Sequence, residues 1–119
     1  MLQMMIAYPK LAVIQPYGSF NASSAVEFQR QLKTAVTHAE HTDVIVDMQL
    51  VESIDSAGLM ALIHGLRLAK TLERRFSLCS VSPSLRMIFE LTQLDRVFEI
   101  FESMTAFEDA IAACMPLSA

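Results

Sequence analysis

The residues with the clearest chemical potential lie in the run Ile54-Asp55-Ser56-Ala57-Gly58-Leu59. A serine where a strand gives way to a helix has two uses. As a helix cap, its oxygen accepts an N–H of the first turn. As a phosphoacceptor on an exposed junction, it takes on about −1.5 to −2 charges, which the orphan N–H groups and dipole of a helix N-terminus can hold. The spacing places Ser56 at the cap position or beside it, with Asp55 complementing the dipole. Gly58 is unfavourable inside a helix. Its presence predicts either a close approach to the backbone or a turn that needs room.

Other reactive groups in the chain do not assemble into a site. Gly18, Gly58 and Gly65 are too far apart for a dinucleotide or P-loop cradle. His38 and His41 stand at a helix end without cysteines or a third ligand nearby, so no metal and no cofactor are expected. His64 follows Ser56 by two helical turns, about 12 Å, too far for a Ser-His pair. There is no nucleophile elbow and no oxyanion loop, so the chain is read as a non-enzyme. Cys79 and Cys114 sit in apolar surroundings and are expected to be reduced core thiols. Most of the eight methionines are expected in the core, with Met60 beside the apolar stripe of its helix and open to a partner.

The elements that must position Ser56 follow from periodicity and punctuation. Residues 4–7 and 11–17 read as two strands joined at Pro9-Lys10. Asn21 begins a helix that runs to about Ala39 with Ala25, Phe28, Leu32, Ala35 and Val36 at helical spacing. The run 43–47 (DVIVD) reads as a strand covered on both faces. After 48–54 comes a helix to about Arg74, with Leu59, Leu62, Ile63, Leu66 and Ala69 as its stripe. A strand at 76–81 precedes a helix opened by Ser82-Pro83, whose apolar face takes Leu85, Ile88, Phe89 and Leu91. A strand at 97–101 and a helix at 105–115, started by Thr105 with Glu108 three residues on, complete the chain. Strands alternating with helices predict an α/β sandwich with a largely parallel sheet of four to five strands and about four helices.

Composition bounds the rest. A chain of 119 residues makes one domain over 1–119. It is 53% hydrophobic and 18% charged, against about 45–50% and about 25% in ordinary soluble domains. That excludes disorder and leaves apolar surface to be covered, which allows a homodimer. The net charge of −4, with no basic cluster, argues against nucleic acid as a partner. The N-terminus has no basic n-region and no run approaches roughly 18 apolar residues, so a cytoplasmic protein without membrane insertion is expected.

The run Asp47-Met48-Gln49-Leu50-Val51-Glu52-Ser53-Ile54-Asp55-Ser56-Ala57-Gly58-Leu59 resembles the signature of the STAS domain, the family of bacterial anti-sigma factor antagonists and of cytoplasmic domains of sulphate transporters. Gly18-Ser19-Phe20-Asn21 with Ala25 and Phe28 resembles the family's approach to its first helix, and residues 79–91 its later strand–helix unit. The resemblance implies a STAS-like sandwich and a partner-switching role, with Ser56 as the phosphorylation site and Asp55, Ala57 and Gly58 as its neighbours. It implies an anti-sigma factor that is also a serine kinase as the partner of the unphosphorylated form. Phosphorylation would end that binding, and a phosphoserine phosphatase would restore it. The face expected to meet the partner comprises Asn21, Met60, His64, Arg67 and Leu68. Leu68 is placed opposite the stripe, either covered by the partner or exposed. Asn21 stands where the family often has Asp, which weakens a charged contact there. Ala57 stands where Ser or Thr is common, which leaves Ser56 as the acceptor of this motif.

Asp55 is left with three roles: orienting Ser56, serving the kinase's metal, or complementing the helix end. A STAS module that is not phosphorylated, acting as an accessory subunit of a transporter or larger signalling assembly, is the alternative. A phosphoaspartate receiver does not fit, because 4–17 holds no acid and no lysine follows Lys70.

Overall fold

A computed structural model describes residues 2–8, 11–37 and 43–114, with side chains described over 11–37 and 43–110. The hairpin expected at the start is present as β1 (Leu2–Tyr8) and β2 (Leu11–Pro16), paired antiparallel. Three parallel additions follow: β4 (Asp43–Asp47) on β2, β6 (Arg75–Cys79) on β4, and β7 (Glu99–Phe101) on β6. The resulting sheet has the order β1-β2-β4-β6-β7. Between these strands run α1 (Ala22–Thr37), α2 (Ser56–Thr71), α3 (Pro83–Leu91) and α4 (Met104–Cys114).

The sequence reading misses a second, two-stranded parallel sheet, β3 (Gly18–Phe20) with β5 (Val51–Ile54). Both strands are too short for a period of two to register. Gly18, at φ +73°, turns the chain from β2 into β3. Its N–H donates to the Leu50 carbonyl at 2.9 Å, which brings the start of β5 alongside.

Alternation along the strands builds two cores. Ala12, Ile14, Val44, Val46, Phe76 and Leu78 face α1, α2 and α3, meeting Phe28, Leu32, Leu62, Leu85 and Phe89. Val13, Ile45 and Cys79 face the other way, onto Phe107 of α4. The DVIVD strand is thus covered on both faces, as its composition requires. At the sheet edge Arg75 donates to both carboxylate oxygens of Glu99 at 2.9 and 2.7 Å, joining β6 to β7. Together with the Ser77 hydroxyl, this holds the Glu99 carboxyl below the usual range.

Several element ends differ from expectation. α2 stops at Thr71, and Arg74 lies in the connection to β6, its Nε donating to the Val36 carbonyl at 3.1 Å. Ser103, not Thr105, caps α4, accepting from the Ala106 N–H at 3.0 Å. Leu91 is 78% exposed rather than part of the α3 core face; it closes the helix past the point where the face meets the sheet. Val97 lies outside β7 and is exposed, because a 3-10 turn at Leu94–Arg96 takes up the preceding chain. His38, His41, Ala39, the Pro9-Lys10 turn and Met115 lie outside the described residues, as does the side chain of Cys114.

Cys79 is buried, and burial raises its thiol to about 11, with the Asp47 carboxylate adding to the shift. At pH 8 only about one molecule in a thousand then carries the thiolate. In a Cys114→Ser variant, a thiol-specific reagent at pH 8 is expected to leave the native protein unlabelled and to label it on unfolding in urea. Because the folded-state value is raised, the thiol's contribution to stability is constant below about pH 9 and is lost between 9 and about 11.

Candidate functional site

The strand β5 delivers the chain to Asp55, which has extended backbone geometry (φ −113°, ψ −172°) and caps α2. Its Oδ1 accepts the Gly58 N–H at 3.0 Å, and its carbonyl accepts the Leu59 N–H at 2.9 Å. Asp55 therefore does the work that the spacing allowed to Ser56. Ser56 is the first residue of the helix, exposed, and among the described residues its hydroxyl makes no hydrogen bond. The serine stays in water because the carboxylate one residue earlier has already satisfied the turn.

Gly58 is explained by the protein's own backbone. A Cβ at this position would collide with the Phe20 carbonyl oxygen and lie 2.8 Å from Ile54 Cγ1. The same carbonyl accepts the Asp55 N–H at 3.3 Å. The end of β3 is thus the seat on which the first turn of α2 rests.

The remaining predicted residues separate into groups. Asn21 is half-buried and caps α1, its Oδ1 accepting the N–H groups of Ser23 and Ser24 at 3.0 and 3.3 Å. It follows Phe20 directly, so it lies at the same seat. Met60 and Arg67 are exposed and fall within roughly 40° of Ser56 on the helical wheel, with half-buried Ile63 between them. His64 and Leu68 turn instead toward α1.

Leu68 is half-buried against the main core, a correction to its placement opposite the stripe. The reason is that Gly58, Ala61 and Gly65 are all buried. These small residues let α2 settle on its Ala61–Gly65 side, so Leu59 and Ile63 are only half-buried and Leu68 is drawn in. Ser19 and Ser53, which the motif reading passed over, lie across the β3–β5 ladder with hydroxyl oxygens 3.2 Å apart.

The site has a defined charge. Glu52 and Asp55 are exposed beside Ser56. No lysine or arginine occurs in β3, in β5, at 21–26 or in the first two turns of α2. Among the described residues no group of three or more His, Cys, Asp or Glu is placed to hold a metal ion. Nor is any described helix long and apolar enough to cross a membrane.

Cap assignment separates the variants. Asp55→Ala is expected to cost about 1 kcal/mol in urea unfolding, and Ser56→Ala less than about 0.5 kcal/mol. Gly58→Ala, which must displace a backbone carbonyl, is expected to cost about 2–3 kcal/mol.

The family model for the STAS domain matches residues 4–106. A relative named for anti-sigma factor antagonism, BtrV of Bordetella bronchiseptica, is 24% identical over 99 residues, covering 83% of this chain and 84% of that protein. A Thermotoga maritima protein described as an anti-sigma factor antagonist has the same fold, with a TM-score of 0.83 at 19% identity over 92% of this chain and 93% of that one. The Bacillus cell fate determinant SpoIIAA in its phosphorylated form has a TM-score of 0.72 at 19% identity, covering 97% of this chain and 100% of that chain. With most of its length matched by that family model and its fold shared with those structures, this chain belongs to the STAS domain family.

Proposed function

We propose that this protein is an anti-sigma factor antagonist that works by partner switching, with residues 1–119 acting as one domain and Ser56 as the phosphoacceptor. The observation that carries this reading is the exposed Ser56 hydroxyl at the start of a helix whose cap is already supplied by Asp55. A serine with no structural task, at a strand–helix junction braced from below by Phe20, is accessible to a kinase. The relatives named for anti-sigma factor antagonism support the same assignment.

In this reading the unphosphorylated face, made by Ser56, Met60 and Arg67 with Asn21 at its edge, packs on an anti-sigma factor that is also a serine kinase. His64 and Leu68 flank that face on the side of α1. Phosphorylation adds about −1.5 to −2 charges beside Glu52 and Asp55, where no described cation neutralises them. The phosphate is left with the helix N-terminus alone, and at an interface it must be desolvated or expelled. A loss of roughly 2–4 kcal/mol weakens binding about 30- to 1,000-fold, enough to exchange partners. A phosphoserine phosphatase resets the switch. The protein performs no chemistry of its own and acts in the cytoplasm on transcription through its partner.

The test is capture of partners from the native lysate with wild type, Ser56→Ala and Ser56→Asp as baits, with thermal melts run alongside. Wild type and Ser56→Ala are expected to retain a kinase-like partner and Ser56→Asp to lose it, all three melting within a few degrees of one another. Recovery of the same proteins by all three folded baits overturns the switch. It would leave a module whose captured partner names the transporter or signalling assembly it serves.

A further inference from the structure

A groove of about 260 Å³ lies between α1 and α2, lined by Gln29, Leu32 and Lys33 from the first helix and His64, Gly65 and Leu68 from the second. Its shape comes from Gly65. A Cβ there would collide with Leu32 Cδ2 and lie 3.2–3.3 Å from the Phe76 ring, so the helices are close at the base of the groove. The longer side chains of Gln29, Lys33, His64 and Leu68 surround the depression above. The floor is apolar, with Leu32 buried and Leu68 half-buried.

The rim is polar and biased in charge. Lys33 makes no ion pair among the described residues, and no carboxylate lines the groove. Glu27, the one acid of α1, is occupied by Arg30. α2 carries Arg67 and Lys70 and no acid at all. In a chain of net charge −4 these two helices carry four basic residues against one acid. Gln29 Nε2 stands 3.5 Å from His64 Nδ1. The two side chains thus meet across the rim, where each can present a polar group to an incoming acceptor. A permanent cation, two further polar side chains and an apolar floor are the ingredients of a small-molecule site. The volume falls just below the range of about 300–1,000 Å³ that holds drug-sized ligands, so the occupant is smaller than these.

We propose that the α1–α2 groove binds a small anion bearing a short apolar chain, the anionic group at Lys33 and the chain over Leu32 and Leu68. This does not rest on the switch reading, because the groove begins two turns along α2 from Ser56.

Hexanoate is the probe, titrated into the isotopically labelled full chain and followed by amide chemical shifts. Saturable shifts centred on Gln29, Lys33, His64, Gly65 and Leu68 are expected. Acetate, which lacks the chain, and hexanol, which lacks the charge, are each expected to bind at least tenfold more weakly. Lys33→Glu is exposed and should melt as wild type does while weakening hexanoate at least tenfold. Shifts that do not saturate, that centre elsewhere, that hexanol reproduces, or that Lys33→Glu leaves unchanged overturn the proposal.

Discussion

The contact on which this structure turns is the one between the first turn of α2 and the carbonyl of Phe20. That oxygen stands where a side chain at position 58 would project, and it also accepts the Asp55 N–H. Phe20 is itself fixed: its ring is buried and meets Phe28 of α1 edge-on, with centroids 5.1 Å apart at 63°. One peptide group therefore ties together β3, β5, α1 and α2. A larger residue at 58 would lift the helix off this seat, and with it the position of Ser56. The glycine that looks costly by propensity is the condition for the close approach.

From that constraint follows the separation of tasks between adjacent residues. Asp55 is held at the end of β5 with extended geometry, which is what a capping residue needs. Its carboxylate satisfies the turn, so the next side chain has no internal obligation. Ser56 consequently projects from a rigid base without being part of it. Modification of such a residue changes the surface charge while leaving the fold's hydrogen bonds in place. The electrostatics divide the molecule further. The start of α2 at Ser56 is flanked in sequence by acids alone, whereas the basic residues of this helix, Arg67 and Lys70, stand in its last turns. Charge added at Ser56 stays local, because the cations on the same helix begin three turns away and exposed charges beyond about 10 Å are screened.

Much of this was legible in the chain because the signals were local and strong. The DVIVD run, the Ser82-Pro83 helix start and the stripe of α1 each rest on residues a few positions apart, and each is present in the structure. The motif 54–59 was recognisable as a loop–helix junction. What periodicity could not show was β3 with β5, two strands of 3 and 4 residues joined across the whole of α1. The packing of α2 was legible only in part. Of the stripe Leu59, Leu62, Ile63, Leu66 and Ala69, the residues Leu62, Leu66 and Ala69 are buried and Met60 is exposed as expected, but the helix also packs on Gly58, Ala61 and Gly65, so Leu59 and Ile63 are only half-buried and Leu68 is drawn in. Hydrophobicity scales undervalue glycine and alanine, whose contribution is to let a neighbouring helix come close.

The α/β class, the order of the principal elements and the place of Ser56 at a strand–helix junction were fixed by residue types at short range. Only the tertiary structure decided which of two adjacent residues caps the helix, why position 58 must lack a side chain, and which face of α2 meets water. Those three answers depend on a carbonyl 38 residues away in the chain and on how closely two helices approach, and neither is a property of local spacing.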